Sequence, residues 1–315
     1  MSPGGLQRRL ARGLLGLSLL SAVVTLLPLA ARHWWIGDLF AHFHLQYAGG
    51  QLLLAFGLLC LGRYLWCLSL LPLLAFNLGV IWPYLLPTQP SFASDAQLKL
   101  MSVNIARSNH SFDGLLTMIA EESPDLILVL EYTPGAAASL QALSGYPHRV
   151  ELPVAGAFGI ALFSRLTLPR AEVFALGATA AIDAEVAGTS GVFRVLGAHL
   201  LPPMSEAAAL QRNLQLELLA EVNAGSSLPT LIMGDFNISP YSPFFSAWLA
   251  RTRLRDSLAG QGLTFTWPTY FPLLGITIDH CAVSEEFTVL ARRHLADIGS
   301  DHRPIFVELT QRRST

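Results

Sequence analysis

Three long stretches without a charged side chain lie within the first 94 residues, and they constrain the fold more than any other feature. They cover residues 13–31, 39–62 and 64–94. About 20 helical apolar residues cross the hydrocarbon layer of a membrane. The sequence therefore predicts an N-terminal membrane anchor, residues 1–90, with about three transmembrane helices. Their predicted positions are residues 14–31, 52–65 and 67–86, the second being short and merging with the third near Arg63.

The alternative for the first stretch is a cleaved signal peptide, because Arg8, Arg9 and Arg12 precede it. Two more apolar stretches follow, which favours a retained anchor. The positive-inside rule then places the N-terminus in the cytoplasm, Arg63 in a cytoplasmic turn, and the rest of the chain outside the cytoplasm after three crossings; Arg32 opposes this orientation. A polar outer loop is predicted around His42 and His44, since two histidines are too few for a closed metal site.

The two parts of the chain differ in charge. Residues 1–90 hold five arginines and one aspartate, whereas the remainder holds fifteen basic and twenty-one acidic residues. An acidic domain lacks the basic surface that supplies most of the affinity for duplex DNA. Cys60, Cys67 and Cys281 offer no disulfide framework and do not identify the compartment.

After a Pro- and Ser-containing linker, residues 91–97, apolar strands alternate with helices over residues 98–315, as in one α/β domain. The helix predicted over residues 206–222 carries an apolar face at spacing four, with Arg212 as a surface charge on another face. The apolar positions are Leu210, Leu214, Leu218 and Val222. Strands are predicted at residues 98–104, 126–130, 156–163, 181–186, 192–198, 229–233, 264–266, 276–278 and 305–309.

Polar residues follow the predicted strands in a consistent order. They are Asn104, Glu131, His199, Asp235 with Asn237, Asp279 with His280, and Asp301 with His302. Each alone is explained by a solvated loop acid, a turn or a core histidine. Strand ends meet at the edge of a sheet where α/β folds bind ligands, so the complete set indicates one functional site.

Several of these motifs resemble the endonuclease/exonuclease/phosphatase superfamily, which includes deoxyribonuclease I, abasic-site endonucleases, neutral sphingomyelinases and inositol polyphosphate phosphatases. The most specific are Gly234-Asp235-Phe236-Asn237 and Ser300-Asp301-His302-Arg303-Pro304, about 65 residues apart. The resemblance covers about residues 98–309. With its three-span leader, the chain is similar to bacterial membrane-anchored members, which implies a multi-pass protein of the bacterial inner or cell membrane.

The resemblance implies a four-layer α/β/β/α sandwich of two mixed β-sheets with a divalent-metal site at one end. Glu131 would be the principal ligand of Mg²⁺ or Mn²⁺, with Asn104 nearby and Asp301 completing the shell. Such oxygen donors are those that these hard cations prefer.

The resemblance also assigns catalytic roles. Asp235 would orient or deprotonate the attacking water, and Asn237 would hold that water or a phosphate oxygen. His302, oriented by Asp279, would stabilise charge on the phosphate. His199 would bind phosphate or protonate the leaving oxygen.

Three further residues are weaker candidates for substrate binding: Arg107, Asn109 and Arg303. Ala106 stands where abasic-site endonucleases carry an acid, which argues against that activity. Cys281 is interpreted as a buried filler, and His280 as a weaker candidate than His302.

These observations favour a membrane-anchored, metal-dependent phosphoesterase that cleaves a phosphodiester in nucleic acid or in a phospholipid headgroup. The alternatives are a phosphomonoesterase and an inactive binding or scaffold module that keeps the fold. A transporter-like role is disfavoured because the apolar stretches hold no buried acid. Membrane lipid is expected around the N-terminal helices, and no obligate protein partner is evident.

Overall fold

The computed structural model describes residues 3–86 and 97–312, so the predicted linker lies outside the described residues except for Gln97. The chain divides into two compact units. One comprises Met1–Pro83 with Tyr241–Pro243, and the other comprises Tyr84–Pro240 with Phe244–Thr315. The predicted domain boundaries at residues 90 and 98 stay predictions.

The first unit is helical. Its helices are α1 (Pro3–Leu26), α2 (Trp35–Phe40), α3 (His44–Cys60) and α4 (Tyr64–Leu85). Three segments are long and apolar enough to cross a membrane: Gly5–Ala30, Trp35–Cys60 and Tyr64–Leu85. The predicted second span, residues 52–65, is too short and lies too late in the chain. The observed candidate span ends at Cys60 because the chain turns before Arg63, with Gly62 at φ 67°.

A buried polar cluster joins the long helices of this unit. The side-chain oxygen of Asn77 on α4 accepts a hydrogen bond from His44 Nδ1 at 2.6 Å. Its nitrogen donates to Thr25 Oγ1 and to Gln51 Oε1, both at 3.1 Å, and Gln51 also donates to Thr25 at 2.9 Å. The polar outer loop predicted at His42 and His44 is therefore wrong, because both side chains are buried and His44 begins α3.

The second unit contains two β-sheets of six strands each among the described residues. The first sheet has the order β11-β12-β1-β2-β4-β3. Its strands are β1 (Gln97–Asn104), β2 (Leu126–Leu130), β3 (His148–Leu152), β4 (Ile160–Ser164), β11 (Phe287–His294) and β12 (Ile305–Gln311). The second sheet has the order β5-β6-β7-β8-β10-β9. Its strands are β5 (Arg170–Leu176), β6 (Thr179–Gly188), β7 (Gly191–His199), β8 (Thr230–Asp235), β9 (Arg255–Asp256) and β10 (Asp279–Val283). Both sheets are mixed, because β1 and β2, like β7 and β8, run parallel while the other neighbouring pairs run antiparallel.

Alternate side chains of the strands build three apolar layers, and these confirm the predicted α/β/β/α sandwich. Leu128 and Leu162 of the first sheet share a core with Val195 and Met233 of the second. The outer face of the first sheet packs against α5 (Asp113–Glu122) and α6 (Pro134–Leu140). The outer face of the second packs against α7 (Glu206–Ala224) and α8 (Pro243–Thr252).

The buried face of α7 differs from the predicted one. Leu210 is 61% exposed and Leu214 48% exposed, whereas Leu216 and Leu219 are buried against the second sheet. Arg212 lies on this buried face and is fully buried, so its assignment as a surface charge is wrong.

The predicted strand at residues 276–278 is also wrong, because β10 begins at Asp279 instead of ending there. Residues 264–266 form no strand either; Trp267 and Ile276 form an isolated bridge. Since β10 runs antiparallel to β8, its first residue lies at the sheet edge where β8 ends. Asp279 thus reaches the predicted edge from the opposite chain direction.

Candidate active site

Three site residues lie side by side at one edge of the second sheet. In the strand register His199 is opposite Asp235, and Asp235 is opposite Asp279. All three side chains are buried. A Cβ atom at Gly234 would lie 1.9 Å from the carbonyl oxygen of Ala198, so only glycine allows this close approach of β7 and β8. The Gly-Asp dipeptide of the motif therefore has a steric cause.

Asn104 links the two sheets. It ends β1, and its Nδ2 donates to Glu131 Oε1 at 3.3 Å and to Asp235 Oδ2 at 3.2 Å. Its Oδ1 accepts the backbone N–H of Ala106 at 3.1 Å. Asn104 therefore holds together the carboxylates contributed by the two sheets.

Two site residues adopt left-handed backbone conformations that non-glycine residues rarely take: Glu131 at φ 57° and Asn237 at φ 50°. Such conformations cost of order 1–3 kcal/mol and cluster at functional sites. Glu131 Oε2 accepts the backbone N–H of Arg107 at 2.7 Å. The backbone N–H of Asn237 donates to Asp235 Oδ1 at 2.9 Å, and its amide donates to the carbonyl of Leu200. These bonds fix both strained turns.

His302 completes the group from the loop that precedes β12. Its Nδ1 donates to Asp279 Oδ2 at 3.0 Å, and its Nε2 lies 3.7 Å from Asp235 Oδ2. Ser300 Oγ accepts the backbone N–H of His302 and donates to the carbonyl of Asn104. Because β12 begins beside the end of β1, this loop reaches the same edge.

The protonation states of the site follow from burial and charge. Burial lowers the pKa of His302, but the carboxylates of Asp279 and Asp235 outweigh it and raise that pKa to about 10. Burial lowers the pKa of His199 to about 4, against the charge of Glu131. Burial raises the pKa of Asp235 to about 7, opposed by the charge of His302. The site therefore pairs a charged His302 with a neutral His199 on either side of Asp235, whose Oδ2 lies 3.4 Å from His199 Nε2.

An open cleft of about 550 Å³ lies beside these residues. Glu131 and Asp301 both line it, and both are partly exposed. Their carboxylate oxygens are donors of the type that Mg²⁺ and Mn²⁺ prefer. The amide nitrogen of Asn104, not its oxygen, faces Glu131.

A second group of potential ligands is more compact. One ligand atom each from Asp235, Asp279 and His302 lies within 4.8 Å of the others. His302 Nδ1 donates to Asp279 Oδ2 at 3.0 Å, so this cluster is also a carboxylate–imidazole pair beside Asp235. The site thus offers two groups of potential metal ligands, Glu131 with Asp301 and Asp235 with Asp279 and His302.

The weaker substrate-binding candidates differ in their surroundings. Arg107 is exposed and lines the cleft. Asn109 instead bonds two loops: it accepts the N–H of Ser111 in its own loop and donates to the carbonyl of Ile298 in the segment between β11 and β12. Arg303 is partly exposed, and its backbone N–H donates to Thr266. Arg107 is thus the candidate that the structure places on the cleft.

His280 and Cys281 have structural surroundings. His280 Nε2 donates to the carbonyl of Ile238 at 2.8 Å, and its ring packs against Phe245 with centroids 4.3 Å apart. Cys281 lies in the core between the sheets, and burial raises its pKa to about 12. Its thiol therefore stays protonated, as expected for a buried filler.

Three residues that no sequence motif singled out hold parts of the site in place. Arg212 Nη1 donates to the carbonyl of Asn237 at 2.9 Å, and buried Arg292 Nη2 donates to the carbonyl of Asp279 at 2.8 Å. Trp267 Nε1 donates to Asp301 Oδ2 at 3.1 Å.

Comparison with solved structures shows the same fold in distant proteins. An endonuclease/exonuclease/phosphatase from Beutenbergia cavernae DSM 12333 has a TM-score of 0.57 and 21% identity over 69% of this chain and 72% of that one. The mannosyl-6-phosphatase of Bacteroides thetaiotaomicron VPI-5482 has a TM-score of 0.56 and 21% identity over 68% of this chain and 99% of that one. D. rerio TDP2 complexed with a single-strand DNA product has a TM-score of 0.56 and 16% identity over 69% of this chain and 100% of that one.

The sequence itself gives the family. No curated protein matches the chain significantly. Residues 101–302 match the Endonuclease/Exonuclease/phosphatase family, and this segment contains Asn104, Glu131, Asp235 and His302. The chain belongs to this family, whose members are phosphoesterases and nucleases that generally depend on a divalent metal.

Proposed function

We propose that the chain is a membrane-anchored, divalent-metal-dependent phosphoesterase that hydrolyses a phosphodiester by in-line attack of water. The observation that carries this proposal is the convergence of Asp235, His199, His302 and Asn104 within hydrogen-bonding distance or nearly so. Mg²⁺ or Mn²⁺, held by Glu131 with Asn104 and Asp301 nearby, would supply positive charge against the substrate phosphate. The three apolar helices support the anchor.

Asp235 accepts the proton of the attacking water. Hydrogen bonds from Asn104 and from the backbone of Asn237 fix its two oxygens, and a pKa near neutrality suits a general base. His302, held by Asp279, places a positive charge next to the phosphate as negative charge builds up there.

Neutral His199 lies where it can contact the attacking water or the substrate phosphate. Its Nδ1–H donates to the carbonyl of Ala157 at 3.1 Å, which leaves the lone pair of Nε2 facing Asp235. Asp235 releases the proton that it took from water to the solvent, and the leaving oxygen takes a proton from the solvent, so one proton is taken up and one is released in each turnover.

Two structural neighbours act on different phosphoesters by their names, a sugar phosphatase and a protein with a DNA product. The acidic charge of residues 91–315, fifteen basic against twenty-one acidic, disfavours duplex DNA as the substrate here. We therefore favour a small or lipid-linked phosphodiester as the substrate.

The test is turnover of bis-p-nitrophenyl phosphate by the purified full chain in detergent with Mg²⁺ or Mn²⁺. We expect Asp235→Asn and Glu131→Gln each to lower kcat by about 10²–10⁴-fold, and chelation of the metal to abolish turnover. The exposed Glu285→Gln is the control and should keep full activity.

Two outcomes would contradict the proposal. If the wild type and both site variants show equal turnover, the site is not catalytic, and the chain would be the inactive binding or scaffold module. Turnover of p-nitrophenyl phosphate alone would make the protein a phosphomonoesterase.

A further inference from the structure

A cluster of exposed apolar side chains occupies one loop of the catalytic domain. Between Trp267 and Gly275 the sequence holds no charged residue. The exposed fractions are 74% for Tyr270, 47% for Phe271, 80% for Leu273 and 48% for Leu274. Adjacent large apolar residues this exposed mark an interaction surface rather than ordinary scatter. We call residues 270–274 the apolar loop.

The apolar loop is held at the rim of the cleft. The backbone N–H of Thr269 donates to the carbonyl of Asp301 at 3.0 Å, and Trp267 Nε1 donates to its carboxylate at 3.1 Å. Asp301 itself lines the cleft. Pro202 lines the cleft as well, and Met204, two residues later, is 83% exposed. Apolar side chains thus extend outward from two segments that border the site.

We infer that the apolar loop enters the lipid layer and that the site acts on the phosphodiester of a membrane lipid. This inference rests on the proposed function and names its substrate class. A lipid presents its phosphate at the membrane surface directly above its acyl chains. If the apolar loop inserts between the acyl chains, the adjacent cleft lies at the membrane surface, and Asp235 and His302 come to the depth of the lipid phosphate.

The position of the candidate membrane spans indicates that lipid is what contacts the apolar loop. Eleven residues lie between the end of the candidate membrane span Tyr64–Leu85 and Gln97, where β1 begins. This length of chain reaches at most about 40 Å when fully extended. An apolar phase is therefore always within reach of the domain. The loop carries no charge, so the contact is hydrophobic and should resist salt, unlike an attraction between a basic surface and anionic lipid.

The first test measures the depth of the loop. Leu273→Cys is introduced into the full chain with Cys60→Ser and Cys67→Ser, labelled with an environment-sensitive fluorophore and reconstituted into vesicles of phosphatidylcholine and phosphatidylglycerol. We expect quenching by lipids with spin labels on their acyl chains, equal at low and high salt. A label at Leu210→Cys, on the exposed face of α7, should not be quenched. Absence of quenching at residue 273 would overturn the inference whether or not the chain is an enzyme.

The second test separates lipid from soluble substrate. For Leu273→Asp with Leu274→Asp we expect turnover of phosphodiester lipids in the same vesicles to fall about tenfold or more, because two leucine side chains no longer enter an apolar phase. Turnover of bis-p-nitrophenyl phosphate should stay at the wild-type level, and Leu210→Asp should affect neither.

The outcomes of the second test distinguish the two proposals. No turnover of the soluble diester by the wild type would refute the proposed function. If the wild type cleaves the soluble diester, and the wild type and the loop variant cleave the lipid equally fast, the lipid inference alone is refuted. Self-association that is lost in the loop variant would instead assign the surface to a second copy of the chain.

Discussion

Burial and ion pairing shift the pKa of Asp183 in opposite directions. It lies on β6 and is almost completely buried. Arg194 donates to it from Nε at 2.7 Å and from Nη2 at 2.8 Å, and Arg170 donates at 3.1 Å. Burial alone would raise the pKa of Asp183, but the hydrogen bonds and charges of both arginines lower it below its usual range. Asp183 is therefore charged in the folded domain at every pH where an unfolded chain would also ionise it.

We predict that this carboxylate contributes to acid sensitivity. A folded pKa below the unfolded value stabilises the domain above the unfolded pKa of about 4, and this contribution is lost as the pH falls through the folded pKa. Asp183→Asn should lower the thermal midpoint at neutral pH and flatten its decline in acid. The measurement is the thermal unfolding midpoint as a function of pH, with Glu285→Gln as control. A parallel decline in wild type and Asp183→Asn would contradict the prediction.

The residues of the site differ in how far the sequence could predict them. Asp235 and His302 lie in short motifs, so the sequence singles them out, and His302 Nε2 lies 3.7 Å from Asp235 Oδ2. Arg212 and Arg292 act through backbone carbonyls of residues distant in the chain, Asn237 and Asp279. No local pattern reports such contacts, and a buried arginine is rare enough that a surface position is the usual expectation.

Among the elements, central strands were predicted better than edge strands. Strand β2 is buried along its whole length, and its continuous apolar run made it easy to find. The edge strands β3 and β5 mix exposed and buried positions and were missed, because partial burial weakens the apolar signal. Helix α7 agrees with the prediction, but its buried face does not. Four leucine and valine positions at spacing four predicted that face, and in the structure they are exposed or half-buried.

The two faces of α7 give an element-scale prediction. Leu216→Ala removes a side chain that is 2% exposed and should cost about 2–5 kcal/mol of unfolding free energy. Leu214→Ala changes a side chain that is 48% exposed and should stay within about 0.5 kcal/mol of wild type. Thermal or denaturant unfolding of the purified chain checks both. Equal destabilisation by the two variants would restore the face expected from the sequence.

The helical unit allows a second element-scale prediction. Asn77 bonds side chains of α1 and α3, and a polar contact between membrane helices contributes roughly 0.6–2 kcal/mol. Asn77→Leu should therefore loosen the packing and lower the resistance of this unit to unfolding in sodium dodecyl sulfate. Ser69→Ala, whose exposed hydroxyl donates to the carbonyl of Trp66 on the same helix, is the matched control. Unchanged resistance in Asn77→Leu would show that apolar packing alone holds the helices.

At the scale of the whole molecule, the two units of the chain differ in how much apolar surface they expose. The helical unit exposes many large apolar side chains, among them Leu53 at 75% and Leu65 at 82%, which suits lipid and not water. The second unit buries its apolar residues in three layers. Residues 91–315 hold more acidic than basic residues, twenty-one against fifteen. Under the proposed function, the orientation of the anchor decides which substrates the domain meets.

Orientation is the whole-molecule prediction. Arg8, Arg9 and Arg12 precede the first candidate span and Arg63 lies between the second and third, so the positive-inside rule places both regions in the cytoplasm. Three crossings then put the catalytic domain outside the cytoplasm. Alkaline phosphatase fused after Thr315, which is active only outside the cytoplasm, should be active, and green fluorescent protein exported unfolded at the same position should be dark. Replacing Arg8, Arg9 and Arg12 by glutamine should reduce the alkaline phosphatase activity, because these charges set the orientation. A fluorescent C-terminal fusion would place the domain in the cytoplasm and restrict its substrates to the inner leaflet.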